Sequence, residues 1–376
     1  MTAYDSQAGV LYVANSALIG GGNRVLMDLI LGLERSRFCP SLVMPFIGPL
    51  AEWADANNVS YHVLPSIGEG RLGLLRQAYA IRGALRAARA SLVHAISPIS
   101  YRAVGLAGLF TSVRRICHIQ LPPGSGQLEW CFRFGPEAVI TCYQAQADEV
   151  RNDLARVSPR ARLVAIPNSV DVEGFSPGAP DPAFRFGADR VVLITGHLSE
   201  VKGYSTFLRA AAALRDRVGR VAFISLGGET LEPGAQTRYE AMARELGISD
   251  SVHFLGWRSD VAAVLRSADI VVLPSKLEGL PLSVLEAMSC ARPVIATAVN
   301  GTPEAVIDGV TGLLVAPDDV EGLSSAILTL VNDPDRAARM GEEGRRVAVD
   351  RFSLRAYLRG IEALYDELLG FSRSVH

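Results

Sequence analysis

The apolar positions of this chain fall into short unbroken runs set between longer amphipathic stretches. In the first part the runs are Val10 to Ala14, Ser41 to Phe46, Val59 to Leu64, Leu92 to Ile96, Arg115 to Ile119, Ala138 to Thr141 and Leu163 to Ile166. Runs of this kind read as buried strands, and most of the intervening stretches carry helical periodicity. Alternation of strand and helix predicts a doubly wound parallel sheet. Glu173 to Gly187 is rich in Pro and Gly and reads as a linker. A second alternating series starts at Arg190, with strands Val191 to Thr195, Val221 to Leu226, Val252 to Leu255, Ile270 to Leu273 and Pro293 to Thr297. Helices are predicted from Tyr204 to Arg217, from Pro281 to about Ser289 and, long and amphipathic, from Leu354 to Leu369. The fold class is α/β, with two doubly wound parallel-sheet domains, which suits 376 residues.

Composition narrows the classes. Nearly half the residues are apolar, ample for two cores, and a formal net charge of -2 gives no overall pull toward nucleic acid. The five cysteines, Cys39, Cys117, Cys131, Cys142 and Cys290, form no CxxC pair, and the six histidines show no HExxH or other metal-ligand spacing. No metal site and no cofactor are therefore expected, and scattered thiols suit a reducing, cytoplasmic setting. The opening MTAYDSQAGV lacks the basic and apolar regions of a signal peptide, and no apolar stretch reaches transmembrane length. A protein in solution or on a membrane surface is expected.

The chemistry concentrates between Asp269 and Asp318. Strand Ile270 to Leu273, the loop Glu278-Gly279-Leu280-Pro281, a helix and strand Pro293 to Thr297 make a βαβ unit, in which ligands sit beyond the carboxyl ends of the strands. Glu278 and Glu286 frame it; were the whole span helical they would lie roughly 12 Å apart along the axis. That is about the reach from the sugar of a nucleotide-sugar to its ribose, and a carboxylate accepts two hydroxyl hydrogen bonds at once. Free amides of Leu282 and Ser283 at the helix start suit a diphosphate between them. The spacing alone is better explained by a solvated loop glutamate and a polar-face helix glutamate, since short motifs are weak. Near the start, Gly20-Gly21-Gly22-Asn23-Arg24 follows a strand and precedes a helix from Val25 to Leu33, a form that admits a phosphate but also a plain tight turn.

The stretch as a whole is more specific. Glu278-Gly279-Leu280-Pro281 through Glu286-Ala287-Met288, then Arg292-Pro293-Val294-Ile295-Ala296-Thr297, resembles the retaining glycosyltransferases of family four, which have the GT-B fold of two Rossmann-like domains facing a cleft. Gly301, Pro303-Glu304, Asp308-Gly309 and Thr311-Gly312-Leu313-Leu314-Val315 extend the match, and Ile166-Pro167-Asn168-Ser169-Val170-Asp171 is similar to the family's Pro-Asn-Gly-Val-Asp signature, with Ser169 for glycine. The resemblance implies an acceptor-side domain over residues 1–172, a nucleotide-sugar domain over 173–355, and a helix over 356–376 that returns to the first domain.

The resemblance also implies roles. Glu278 contacts the donor sugar and Glu286 the ribose, while Gly21 and Gly22 lie in the cleft beside donor phosphates and acceptor. Lys202, in the loop Gly196-His197-Leu198-Ser199-Glu200-Val201-Lys202-Gly203, stabilises the leaving diphosphate as a compact charge. The family's loop arginine is here His197, which leaves charge compensation open. His118, at a strand end, faces the donor sugar, and the base rests on backbone near Gly256, Trp257 and Arg258. The implied reaction is metal-independent hexosyl transfer with retention by front-face displacement, from a UDP- or GDP-sugar to a glycan, lipid-linked or small-molecule acceptor, as in polysaccharide biosynthesis. An epimerase or phosphorylase on the same fold, or a non-catalytic nucleotide-sugar-binding protein, are the alternatives.

Between Gly70 and Leu128 there is no Asp or Glu, but there are Arg71, Arg76, Arg82, Arg86, Arg89, Arg102, Arg114 and Arg115. Leu72 to Ala90 reads as a helix with Leu74, Leu75, Ala78, Ile81 and Leu85 on or near one face and arginines opposite. Such a helix either covers the sheet or lies on an anionic membrane, the inner face of the cytoplasmic membrane being the expected place.

Overall fold

The computed structural model describes residues 7–64, 70–230 and 232–371. It divides into two units: one runs to Asn168 and resumes at Leu354, and the other is Ser169–Ser353.

The first unit holds seven strands: β1 (Ala8–Val13), β2 (Phe38–Met44), β3 (Tyr61–Val63), β4 (Ala90–Ala95), β5 (Arg114–Ile119), β6 (Ala138–Thr141) and β7 (Arg162–Ala165). Their order is β3-β2-β1-β4-β5-β6-β7, every pairing parallel. Both faces of the sheet are covered, which is why β1 is buried at every position and wrote an unbroken apolar run. The helix Leu354–Leu369 packs here through Tyr357, Ile361, Leu364 and Tyr365, and Tyr365 Oη meets Tyr12 Oη at 3.0 Å and His94 Nδ1 at 2.7 Å.

The second unit holds β8 (Arg190–Thr195), β9 (Val221–Leu226), β10 (Val252–Phe254), β11 (Ile270–Leu273), β12 (Val294–Thr297) and β13 (Gly312–Val315), in the order β10-β9-β8-β11-β12-β13, again all parallel. β13 was not expected as a strand: it opens on a glycine, lies at the sheet edge, and its Leu313, Leu314 and Val315 are only half-buried. In each sheet the strand order reverses once, between β1 and β4 and between β8 and β11. These switch points are where loops splay apart and leave room for a ligand.

Several expectations are corrected. Val170 N–H donates to Phe352 O at 2.8 Å and bridges Ser353, so residues 169–172 belong to the second unit, and the chain re-enters the first at Leu354. The Pro/Gly-rich segment is packed on the second unit: Phe175 O accepts from Ser289 Oγ at 2.5 Å and from Arg345 Nη1 at 2.9 Å, and Asp181 N donates to Ser267 Oγ. The first helix begins at Gly21, so Gly21 and Gly22 form its first turn, behind an extended Gly20 (φ −130°, ψ −175°). The arginine-rich helix is Arg71–Ala87, and Arg89 beyond it sits at φ +46°. Leu75 does not face the sheet: with Leu72 and Tyr79 it is exposed, while Ala78, Ile81 and Leu85 are buried.

Candidate active site

The β8/β11 switch point gathers the charged residues. After β8 the backbone turns at Gly196 (φ +133°), passes a short 3-10 turn, Glu200–Lys202, and turns again at Gly203 (φ +75°). A Cβ on Gly203 would sit 2.0 Å from Pro274 O, just past β11, so only glycine lets the two loops approach. That approach sets Lys202 Nζ 2.6 Å from Glu278 Oε1, across 76 residues of sequence. The pair is largely shielded, with 17% of the Lys202 side chain and 7% of the Glu278 side chain exposed.

Glu278 is also held from the β12 side. Its N–H donates to Asn300 Oδ1 at 3.3 Å, and Gly301 N–H donates to Gly279 O at 3.0 Å. Asn300 takes φ +45°, a conformation asparagine tolerates better than most residues. Sequence reasoning missed Asn300; the Asn300-Gly301 pair was the available turn signal. Leu280 is buried, and Pro281 caps rather than opens the helix Leu282–Ser289. Because residues 278–281 are not helical, the axial figure of about 12 Å between the two glutamates does not apply. Leu282 and Ser283 are half-exposed in the first turn, whose backbone amides have no partner within the helix. Glu286 is buried one turn on.

His197 is half-buried beside the pair. Burial first, and then the Lys202 charge, lower its pKa, against the pull of Glu278 and Glu232. The neutral imidazole is thus favoured, and Lys202 is the one lysine or arginine in the segment Gly196–Gly203. The other loops lock onto this one through backbone: Leu198 N–H donates to Gly228 O at 3.0 Å, and Gly227 N–H to Gly256 O at 3.0 Å. Gly256 adopts φ +65°. Trp257 is exposed, lies against Gly228 and donates from Nε1 to Glu229 O at 3.4 Å. Arg258 is engaged with Asp260 at 2.7 and 2.8 Å and over the Phe184 ring. The structure therefore brings Lys202, His197 and Glu278 together and ties the Gly256 loop to theirs.

In the first unit the expectation for His118 is corrected. The ring is 1% exposed and stacks on His94 with centroids 5.5 Å apart, so it faces the core layer that includes Tyr12 and Tyr365. Burial lowers its pKa to about 4. The reason is register: His118 is the fifth residue of the six-residue strand β5, one position short of its end. Gln120, just past β5, is the side chain beside the glycine loop; a Cβ on Gly22 would lie 2.5 Å from Gln120 Oε1, whereas one on Gly21 would meet nothing within 4 Å. Gln120 was not singled out from sequence, because a polar residue one step beyond a strand carries no signal of its own.

Two doubly wound parallel sheets, with polar loops gathered at a switch point, define the class: an α/β protein of GT-B type. Residues 181–347 match the family described as glycosyl transferases group 1, and residues 19–173 match glycosyltransferase family 4. The chain belongs to glycosyltransferase family 4. It is similar to the D-inositol 3-phosphate glycosyltransferase of Corynebacterium jeikeium, 36% identical over 215 residues, 54% of this chain and 51% of that protein. It is also similar to the MMP alpha-(1->4)-mannosyltransferase of Mycolicibacterium hassiacum, 35% identical over 236 residues, 61% of this chain and 54% of that one. The matched region thus spans about half the length of these curated relatives. Among solved structures, Anabaena HepE in complex with UDP and glucose superposes with a TM-score of 0.82 at 21% identity, over 96% of this chain and 100% of that one, a likeness of fold.

Proposed function

We propose that this protein transfers a hexose from a nucleotide-diphosphate sugar to a glycan, lipid-linked or small-molecule acceptor, with retention of anomeric configuration. The observation that carries this reading is the shielded Lys202–Glu278 pair at the β8/β11 switch point, next to a helix start. Cleaving the sugar–phosphate bond puts charge on the diphosphate, and Lys202 with the Leu282 and Ser283 amides supplies compensation without a metal ion. Glu278 takes sugar hydroxyls, Glu286 takes the ribose, and Trp257 borders the base. A donor phosphate oxygen takes the acceptor proton as the new bond forms on the face that the diphosphate leaves. His118, being buried, supports β5 and is given no contact with substrate.

Melting temperatures measured against UDP-, GDP- and ADP-sugars test the donor: a ligand of the native state alone raises the melting temperature. No shift with any member would remove this reading. The neutral His197 favours one second reading, a protein that binds nucleotide-sugar without turnover, and tight binding with no transfer to any acceptor would establish it.

We also propose peripheral contact with anionic membrane through the helix Arg71–Ala87. No described helix is long and apolar enough to cross a membrane. This one exposes Leu72, Leu75 and Tyr79, the last by 80%, beside exposed Arg71, Arg76 and Arg86. Such a face enters the interface, with each arginine contributing about 1 kcal/mol. Sedimentation with anionic but not neutral vesicles, lost at high salt and in an Arg76, Arg82, Arg86 and Arg89 to Ser variant, is the expected result. Binding that ignores lipid charge would refute it.

A further inference from the structure

The helix Leu282–Ser289 carries Glu286 and the Leu282 and Ser283 amides on eight residues, with no side-chain hydrogen bond capping its start. A helix this short is not stable by itself and takes its place from what packs on it. The helix Pro334–Phe352 packs on its far end. There the half-buried Arg345 directs Nη1 at four oxygens: Ser289 O, Ser289 Oγ and Val172 O, each at 2.8 Å, and Phe175 O at 2.9 Å. Val172 and Phe175 anchor the guanidinium to the body of the unit, and Ser289 Oγ donates to the same Phe175 O.

The backbone just beyond Ser289 is gripped as well. Arg292 N–H donates to Ala287 O at 2.9 Å, closing a helix end of the kind that glycine usually makes. Here the left-handed position is Ala291, at φ +55°, a conformation that persists in a residue with a side chain when its surroundings impose it. Gly341 comes so close that a Cβ on it would lie 2.2 Å from Ala291 O. A cation at a helix's carboxyl end also matches the negative end of its dipole, the positive end being the one that presents free amides.

We infer that Arg345 is a positioning residue for donor binding. By holding Ser289 it sets where Glu286, one turn away, and the Leu282 and Ser283 amides stand. The helix is about 12 Å long, so a tilt or slip at Ser289 reaches all three. Arg345 itself is given no contact with the donor. The inference rests on reading this helix as part of a nucleotide-sugar site and deepens it by naming what fixes the helix.

Titration calorimetry of the full chain with UDP, GDP and ADP tests it, at a temperature where every variant titrated is folded. The diphosphate that binds wild type most tightly is the probe. Arg345→Ala should weaken it by about tenfold. Arg345→Met, which keeps the packing of the stem, should lose as much and carries the test if the alanine variant does not fold. Arg345→Lys, which keeps a charge at the helix end, should lose about threefold, and methylguanidinium added to Arg345→Ala should restore affinity to within about threefold of wild type. A merely architectural role lowers melting temperatures and leaves affinity unchanged below them. Binding within about twofold of wild type in the alanine or methionine variant, or a loss that neither lysine nor methylguanidinium reduces, would overturn the inference. If none of the three nucleotides binds wild type, the nucleotide-sugar reading falls and the inference with it. If wild type binds and the variants match it, the inference alone falls.

Discussion

Lys202→Met removes an ammonium while keeping most of its aliphatic stem, and so isolates the charge that faces Glu278. At 2.6 Å and an effective dielectric of about 20, the bare attraction is about 6 kcal/mol, most of it offset by desolvation. The measurable effect is what the substitution leaves behind, a shielded carboxylate without its counter-charge. For fully buried pairs that costs roughly 3–5 kcal/mol, and the 17% exposure of Lys202 places this pair at the lower end, about 3 kcal/mol. In a unit the size of Ser169–Ser353, each kcal/mol shifts the melting temperature by roughly 2–4 °C, so a fall of about 6–12 °C is expected. Trp257 is the one tryptophan of that unit, Trp53 and Trp130 lying in the other, so calorimetry read beside tryptophan fluorescence assigns the transition. Adding Glu278→Gln to Lys202→Met removes the stranded charge and should recover most of the loss. A transition within about 2 °C of wild type for Lys202→Met, or a double variant that merely sums the single losses, would refute the coupling.

Three further outcomes are expected. Glu286→Gln should weaken the donor that raises the melting temperature by about 1.5–3 kcal/mol, read by titration, with the fold retained; unchanged affinity would take the ribose from Glu286. Because burial holds His118 down at about 4 against an ordinary 6.5, the native chain binds fewer protons than the unfolded one between those values. Stability is therefore full above about pH 6.5 and falls toward pH 4 by up to about 1.4 kcal/mol per pH unit, and His118→Gln should flatten urea-unfolding stabilities between pH 5 and 7; an unchanged slope would pass the acid sensitivity to other groups, His94 among them. Gly203→Ala should destabilise the second unit by about 3 kcal/mol or more, since its Cβ meets Pro274 O at φ +75°, whereas Gly21→Ala, with open space around it, should change stability by less than about 1 kcal/mol in thermal melts.

What the chain determined by itself is the alternation of elements. Strands covered on both faces are apolar at nearly every position, so β1, β8, β9 and β11 wrote short apolar runs. β13, at an edge, is a shorter run, Leu313-Leu314-Val315 behind a glycine, and its side chains are only half-covered. Glu278, Glu286 and Lys202 stood out as candidates because their loops and helix keep a recognisable local order of Gly, Pro and charge. Everything that depends on which elements become neighbours was decided by the tertiary structure. Lys202 and Glu278 meet across 76 residues only because β8 and β11 pair at the switch point, and Asn300 reaches Glu278 only because β12 pairs β11. Likewise His118 turned inward and Gln120 stands beside Gly22, while Leu72, Leu75 and Tyr79 were left uncovered. Local periodicity states which side of an element is apolar; it does not state what packs against that side, because burial and electrostatic pairing are set by contacts between residues far apart in the chain.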